Sequence, residues 1–205
     1  MQIWLEDLGR RFNREWIFRK ITYHFEQGNS YAVLGPNGSG KSTLLQIIAG
    51  NLSSSQGNIN YFSATGKIAI EDVFKKLSWA APYIELIEEF TLIELINFHF
   101  RFKPLLPGFD SKSVIGLLGL ESSKNKAIKF FSSGMKQRTK LALAFCADTP
   151  VLLLDEPTSN LDSTGVAWYL ELVEQFAQER LLIICSNQES EYSFCRNRLH
   201  ILDYK

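Results

Sequence analysis

The chain has 205 residues, of which 45% are hydrophobic and 21% charged, and its 22 basic and 22 acidic side chains cancel to a formal net charge of zero. That length predicts one domain, with room for a sub-domain, burying about 70% of the surface of its unfolded chain, and the composition is that of a globular protein rather than a disordered one. The charge balance excludes a large non-specific nucleic-acid surface, leaving space only for a local basic patch.

Cys146, Cys185 and Cys195 are odd in number and lack CxxC spacing, which argues against a disulfide scaffold or a zinc site and for a reducing cytosol. The start, "MQIWLEDLGRRF", has no basic stretch leading into an apolar run and does not read as a signal peptide. No stretch approaches 18 apolar residues, so any membrane role is expected to be carried by a partner.

Residues 2–34 and 57–70 alternate apolar and polar side chains, as in "QIWL" and "KITYHF", and are predicted to form antiparallel strands with one wet face. "SYAVLG" is instead a short continuous apolar run, as are "VLLLDE" and "LLIICS" further along. Such runs suit strands covered on both faces of a parallel sheet. The expected architecture is therefore α/β, with a parallel or mixed core sheet and an antiparallel β sub-domain at the amino terminus.

After "SYAVL" comes "GPNGSGKST" (Gly35 to Thr43), which opens the helix "KSTLLQIIAGNL". This is G-x-x-x-x-G-K-S between a strand and a helix, the context that a P-loop requires. The glycines let backbone N–H groups turn inward, and the helix N-terminus adds positive potential toward phosphates. Asn37, Gly38, Ser39, Gly40, Lys41, Ser42 and Thr43 are thus the candidate nucleotide-binding residues, with ATP and Mg²⁺ as the implied cofactors. Lys41 would bridge the terminal phosphates and the Ser42 hydroxyl would ligate Mg²⁺. The alternative, a Gly-rich hairpin, does not place Lys-Ser-Thr directly before a helix.

Roughly residues 84–135 show helical periodicity broken by "KPLLPGFDS" and read as an inserted helical sub-domain, leaving 1–83 and 136–205 as the ATP-binding core. Periodicity does not decide between helix and strand in 110–130. "VLLLDEPTSNLD" then places Asp155 and Glu156 at the carboxyl end of a buried strand, the edge where parallel sheets bind ligands. Asp155 suits an outer contact to Mg²⁺, and Glu156 a general base or the residue that orients water on the γ-phosphate. A solvated strand-ending turn has the same composition. In "STGVAWYLELVEQFAQE", Val166, Leu170, Val173 and Ala177 recur at helical spacing and predict a crossover helix. The following strand stops on Ser186, Asn187 and Gln188, which leaves open whether Asn187 ends a strand or serves a site.

Together with "FSSGMKQR" (Phe131 to Arg138), these stretches resemble the nucleotide-binding subunits of ABC transporters over nearly the whole chain. That family carries a signature written LSGGQ followed by a basic-Gln-Arg run; here Phe131, Ser132, Ser133, Gly134 and Met135 hold its places. The resemblance implies that Ser132 and Gly134 open a helix facing the γ-phosphate bound by a second subunit; the residues alone fit an N-capped core helix equally well. It also implies that Asp162 lines a dimer interface and that Phe12 stacks on adenine, a contact worth about 1–3 kcal/mol, with Trp16 and plain core packing as the other readings. The chain departs from the family twice. Asn187 stands where a histidine is expected, and Pro82 and Tyr83 stand where a glutamine is expected, with Glu85 and Glu88 the nearest polar substitutes.

An Asn amide can donate to a phosphate oxygen but never carries charge, so it should lower the hydrolysis rate more than the affinity. The function expected is an ATP-binding and hydrolysing subunit, slow in turnover through Asn187 and the missing glutamine. It would dimerise with itself or a related ATPase subunit around ATP and Mg²⁺ and drive a separate integral membrane permease from the cytoplasmic side. A groove around residues 83–105 would dock that permease, unless those residues are ordinary helix core. The compact length resembles haem-exporter-type subunits, and no nucleic-acid partner is expected. A soluble ABC-type clamp and a non-transport P-loop NTPase are the alternatives.

Overall fold

The computed structural model describes residues 1–205. The alternating stretches form an antiparallel sheet. β1 (Gln2–Phe12) pairs with β2 (Glu15–Glu26) and, on its other side, with β4 (Gln56–Ser63), to which the short β5 (Gly66–Ile68) is added. Ile3, Leu5 and Leu8 of β1 and Phe18, Ile21 and Phe25 of β2 are fully buried on one face, while the intervening polar residues meet water.

Two corrections apply to the expected antiparallel segments. Residues 30–34 do not belong to this sheet, and the second segment ends at Ile68, with Ile70–Lys76 forming a 3₁₀ turn. Residues 30–34 form β3 (Ser30–Leu34), in which Tyr31, Ala32, Val33 and Leu34 are all buried, so the strand has no face to offer to solvent.

β3 sits instead in a five-stranded sheet with β6 (Leu77–Ala80), β7 (Val151–Asp155), β8 (Leu181–Cys185) and β9 (Asn197–His200). Their order is β6-β7-β8-β3-β9 and every pairing is parallel, so this sheet is parallel rather than mixed. All five residues of β7 and of β8 are buried. Alternate side chains feed two cores. Leu153 and Ile183 join Leu44, Leu45 and Ile48 of α1 (Lys41–Ile48) beneath the antiparallel sheet. Leu152, Leu154, Leu182 and Ile184 face the helices on the other side.

Those helices are α4 (Ser133–Phe145) and α5 (Ser163–Phe176), the latter crossing from β7 to β8 as expected. Its buried stripe is set one position away from the predicted one at two of its four places. Gly165, Tyr169, Leu172 and Val173 face inward, whereas Leu170 is exposed and Val166 only half-buried. Both phases fit the apolar pattern, and the inward one brings Gly165 so close to Leu161 that an added Cβ would lie 2.9 Å from the Leu161 Cβ.

Between β6 and β7 the chain builds a third cluster from α2 (Leu92–His99), α3 (Ser111–Leu118) and the middle of α4, with Leu92, Ile96, Val114, Leu118 and Ala142 at its centre. Capping boxes start the first two helices, Thr91 with Glu94 and Asp110 with Ser113. The undecided stretch 110–130 is thus helical at its start and, after Gly119, whose left-handed conformation ends α3, carries only the short 3₁₀ turns Glu121–Ser123 and Ile128–Phe130.

At the edge of the sheet farthest from the β7 carboxylates, Arg180 is almost wholly buried. Its guanidinium donates to the Phe145 carbonyl at 3.1 Å, to Ser78 Oγ at 2.7 Å and to Thr149 Oγ1 at 2.6 Å, tying together the starts of β6, β7 and β8. The three cysteines are free and buried. No helix is long and apolar enough to cross a membrane.

Candidate nucleotide site

The turn between β3 and α1 forms the site because its backbone takes shapes that side chains resist. Gly38 has φ 76° and Gly40 has φ 106°, and a Cβ on Gly40 would come within 2.4 Å of Ile17 Cγ2. Glycine therefore lets the loop lie directly on β2. Gly40 caps α1 without any side-chain hydrogen bond, and the first turn of α1 carries no acidic residue. By contrast, Thr91, Asp110, Ser132 and Asp162 cap α2, α3, α4 and α5 with side-chain oxygens. The N–H groups at the start of α1 are left for an anion. The Lys41 ammonium arches back over the loop, donating to the carbonyls of Gly35 at 2.8 Å and Pro36 at 3.2 Å.

Asn37, Gly38, Gly40, Lys41, Ser42, Thr43, Glu156 and Ile17 line one open depression of about 200 Å³. Ser39 is buried under it. The roomier cavities lie elsewhere, so here backbone donors and charge make the site, not depth.

Asp155 ends β7 with 1% of its surface exposed, and neither carboxylate oxygen has a hydrogen-bond partner. Burial pushes its pKa up. The hydroxyls of Ser42 and Tyr83 stand near enough to offset part of that rise without completing a hydrogen bond of normal geometry, while Glu156 adds to it and Lys41 opposes it. Two orphaned buried oxygens beside a serine hydroxyl are a donor set for a hard divalent cation. No group of three or more His, Cys, Asp or Glu gathers anywhere in the structure, so a cation held here would complete its shell from phosphate and water.

Glu156 follows at φ 42°, a left-handed conformation unusual for a side-chain-bearing residue. Its N–H is held by the Cys185 carbonyl at 2.8 Å. Asn187, past the end of β8, donates through Nδ2 to Asn37 Oδ1 at 2.6 Å. It therefore touches the phosphate loop.

The other candidates stand apart from this depression. Ser132 caps α4 by accepting from the Met135 N–H at 3.2 Å, and Asp162 caps α5 by accepting from the Gly165 N–H at 2.8 Å. Gly134 abuts the loop before α5, where an added Cβ would lie 3.1 Å from the Asn160 carbonyl oxygen. Phe12 is 46% exposed with the Arg10 guanidinium 4.5 Å above its ring, and Trp16 packs against Gly9.

Sequence reasoning missed two neighbours. Ile17 carries no motif and is found only through the register of β2 against the loop. Tyr83 was noted only as a departure, yet it lies close to Asp155 and Gln46, and burial followed by the Asp155 charge raises the pKa of its phenol.

A phosphate loop after β3 and a buried carboxylate ending β7, on the same edge of the parallel sheet with β8 between them, define a P-loop nucleotide-binding protein. Residues 18–159 match the family described as ABC transporter. The chain is 28% identical over 192 residues to the lantibiotic transport ATP-binding protein SrtF of Streptococcus pyogenes, covering 89% of this chain and 78% of that protein. It is also 28% identical over 187 residues to the uncharacterized ABC transporter ATP-binding protein YybJ of Bacillus subtilis, covering 90% and 84%. It matches ATP-binding cassette sub-family A member 17 of Mus musculus at 28% over 187 residues, spanning 90% of this chain but 11% of the mouse protein. Among solved structures, the ATP-binding subunit of an ABC transporter superposes with a TM-score of 0.85 at 23% identity over 98% of this chain and 86% of that one. A bacterial ABC transporter cassette solved as a dimer superposes at 0.81 with 20% identity over 97% and 94%. At those identities the likeness is one of fold. The chain belongs to the ABC transporter family, in which it is the ATP-binding ATPase part.

Proposed function

We propose that two copies of this cassette, or one copy and a related ATPase subunit, close around ATP and Mg²⁺ and power an integral membrane permease from the cytoplasmic side of the membrane. The observation that carries this reading is the pairing of an uncapped helix N-terminus with the unsatisfied Asp155 carboxylate. One offers donors to a triphosphate and the other offers acceptors to its cation.

In this scheme the N–H groups from Asn37 to Thr43 hold the β- and γ-phosphates, and the Lys41 ammonium exchanges its carbonyl partners for phosphate oxygens. Ser42 and Asp155 would hold Mg²⁺, which when bound neutralises charge on the phosphate oxygens. Glu156 orients and deprotonates the attacking water, and Asn187 donates to the γ-phosphate in place of histidine, at the cost of speed. Ser132 and Gly134 would meet the nucleotide of the other copy, with Asp162 at the interface. Phe12, exposed on the same amino-terminal arm as Ile17, is the aromatic ring proposed for adenine.

The permease would dock in a groove of about 350 Å³ lined by Trp79, Ile84, Leu86, Phe98, Phe102 and Leu143, with Phe102 69% exposed. Helix α2, which lines it with Leu95, Phe98 and His99, belongs to the proposed helical sub-domain at about 84–135.

Light scattering on Glu156→Gln tests the scheme. With ATP and Mg²⁺ the variant should become a dimer, because the closed pair cannot discharge its nucleotide. A variant that binds ATP and stays monomeric would refute the closing pair. The comparisons give no support to a soluble clamp or a non-transport NTPase, and none to slow turnover, which rests on Asn187 and the missing glutamine alone.

A further inference from the structure

The turn that carries Glu156 is gripped from two sides by buried polar side chains to which no role has been given above. From α4, Gln137 is 2% exposed and its Nε2 donates to the Pro157 carbonyl at 2.8 Å. From the opposite side comes Glu191, on α6 (Glu189–Tyr192), the short helix that follows Asn187. Glu191 is fully buried. Its Oε1 accepts from the Thr158 N–H at 2.8 Å and from the Thr158 hydroxyl, while Oε2 has no partner. The Tyr169 hydroxyl of α5 donates to the Glu191 carbonyl at 2.9 Å, which fixes the helix that presents the carboxylate.

Burying a carboxylate with one oxygen unsatisfied is costly, and an apolar side chain of similar volume would fill the space without that cost. The two contacts fall on consecutive residues, Pro157 and Thr158, immediately after Glu156 in its left-handed conformation. Such a backbone state persists only where its surroundings hold it. Gln137 lies on the helix capped by Ser132, and Glu191 lies four residues beyond Asn187.

We propose that Gln137 and Glu191 are positioning residues, a two-sided clamp on the Pro157–Thr158 turn that sets the Glu156 carboxylate against the phosphate loop. The clamp makes the aim of Glu156 depend on the placement of both the signature helix and the Asn187 loop. A displacement of either, on closing against a second copy or on contact with the γ-phosphate, reaches Glu156 through one hydrogen-bonded link. This inference rests on the reading of Glu156 as the residue that activates water.

The test is single-turnover ATP hydrolysis, ATP affinity by calorimetry and thermal melting for Gln137→Met, Glu191→Met and Glu191→Gln, alone and combined with Glu156→Gln. Misplacing a reacting group by about 1 Å costs up to about 100-fold. The Met variants should therefore hydrolyse about 10- to 100-fold more slowly with ATP affinity unchanged. Glu191→Gln keeps an acceptor for the Thr158 N–H and should recover most of the rate. With Glu156→Gln in place, the Met substitutions should slow residual hydrolysis no further.

Equal further slowing in that background would overturn the clamp, as would rate losses that track losses of affinity or melting temperature. If Glu191→Met fails to fold, Gln137→Met carries the same comparison from the other side, and failure of both marks the contacts as purely structural and overturns the proposal. A Glu156→Gln variant that hydrolyses at the native rate would instead refute the role of Glu156, an outcome separable from native-rate Met variants in an otherwise intact chain.

Discussion

Asn187 Nδ2 donates to Asn37 Oδ1 at 2.6 Å, joining the loop after β8 to the phosphate loop across the carboxyl edge of the sheet. A hydrogen bond to a charged group contributes about 1.5–3 kcal/mol, or about 10- to 100-fold in rate. Asn187→Ala should slow single-turnover hydrolysis by that factor while changing ATP affinity less, and Asn187→His should exceed the native rate by adding a charge-bearing donor. An alanine variant with native turnover would leave Asn187 as a turn residue only.

Asp155 is buried with neither oxygen in a hydrogen bond of normal geometry, and the nearby Ser42, Tyr83 and Lys41 offset only part of that burial. Asp155→Asn should raise the melting temperature without nucleotide by about 2–8 °C, the equivalent of about 1–2 kcal/mol. The same variant should lose the gain in ATP affinity that Mg²⁺ gives the native protein, as read by calorimetry with and without the metal.

Two glycines of one loop should respond differently to the same change. Gly38→Ala meets only backbone strain, since nothing lies within 4 Å of an added Cβ; Gly40→Ala also drives a methyl into Ile17. Strain of this kind costs about 1–3 kcal/mol. Urea unfolding should therefore rank Gly40→Ala as the less stable variant, and ATP binding should fall further in it.

His99 lines the groove beside α2 with its Nε2 buried and unpartnered. Burial pushes its pKa down to about 4, with the Lys103 ammonium adding to the shift. Below pH 6.5 the unfolded chain takes up a proton that the folded imidazole refuses until about pH 4, so this residue makes stability fall as pH drops through that window. Above pH 6.5 it adds no slope. Urea midpoints at pH 7 and pH 5 should converge in His99→Leu relative to the native chain.

What the sequence disclosed was local. The phosphate loop needs eight adjacent residues, Gly35 to Ser42, between a strand and a helix, and Asp155 and Glu156 announce themselves by ending an apolar run. The longer strands were legible from their periods, alternating in β1, β2 and β4 and continuous in β3, β7 and β8, whereas the three- and four-residue β5, β6 and β9 are too short to show a period. The phase of α5 was not, because Val166 with Leu170 and Gly165 with Tyr169 satisfy the same spacing until the packing against Leu161 chooses. Ile17 and Glu191, and the contact that Gln137 of the signature run makes with Pro157, were invisible for a related reason. Each acts on a partner far along the chain, and nothing in their neighbours' identity marks the contact.

The Arg180 guanidinium fastens the amino-terminal margin of β6, β7 and β8, while at the opposite margin Asp155 has nothing to hold. The sheet is thus an unevenly braced plate. Amide protons of Val151 and Leu181 should outlast those of Asp155 and Cys185 in deuterium exchange, and added nucleotide should slow the faster pair more than the slower one.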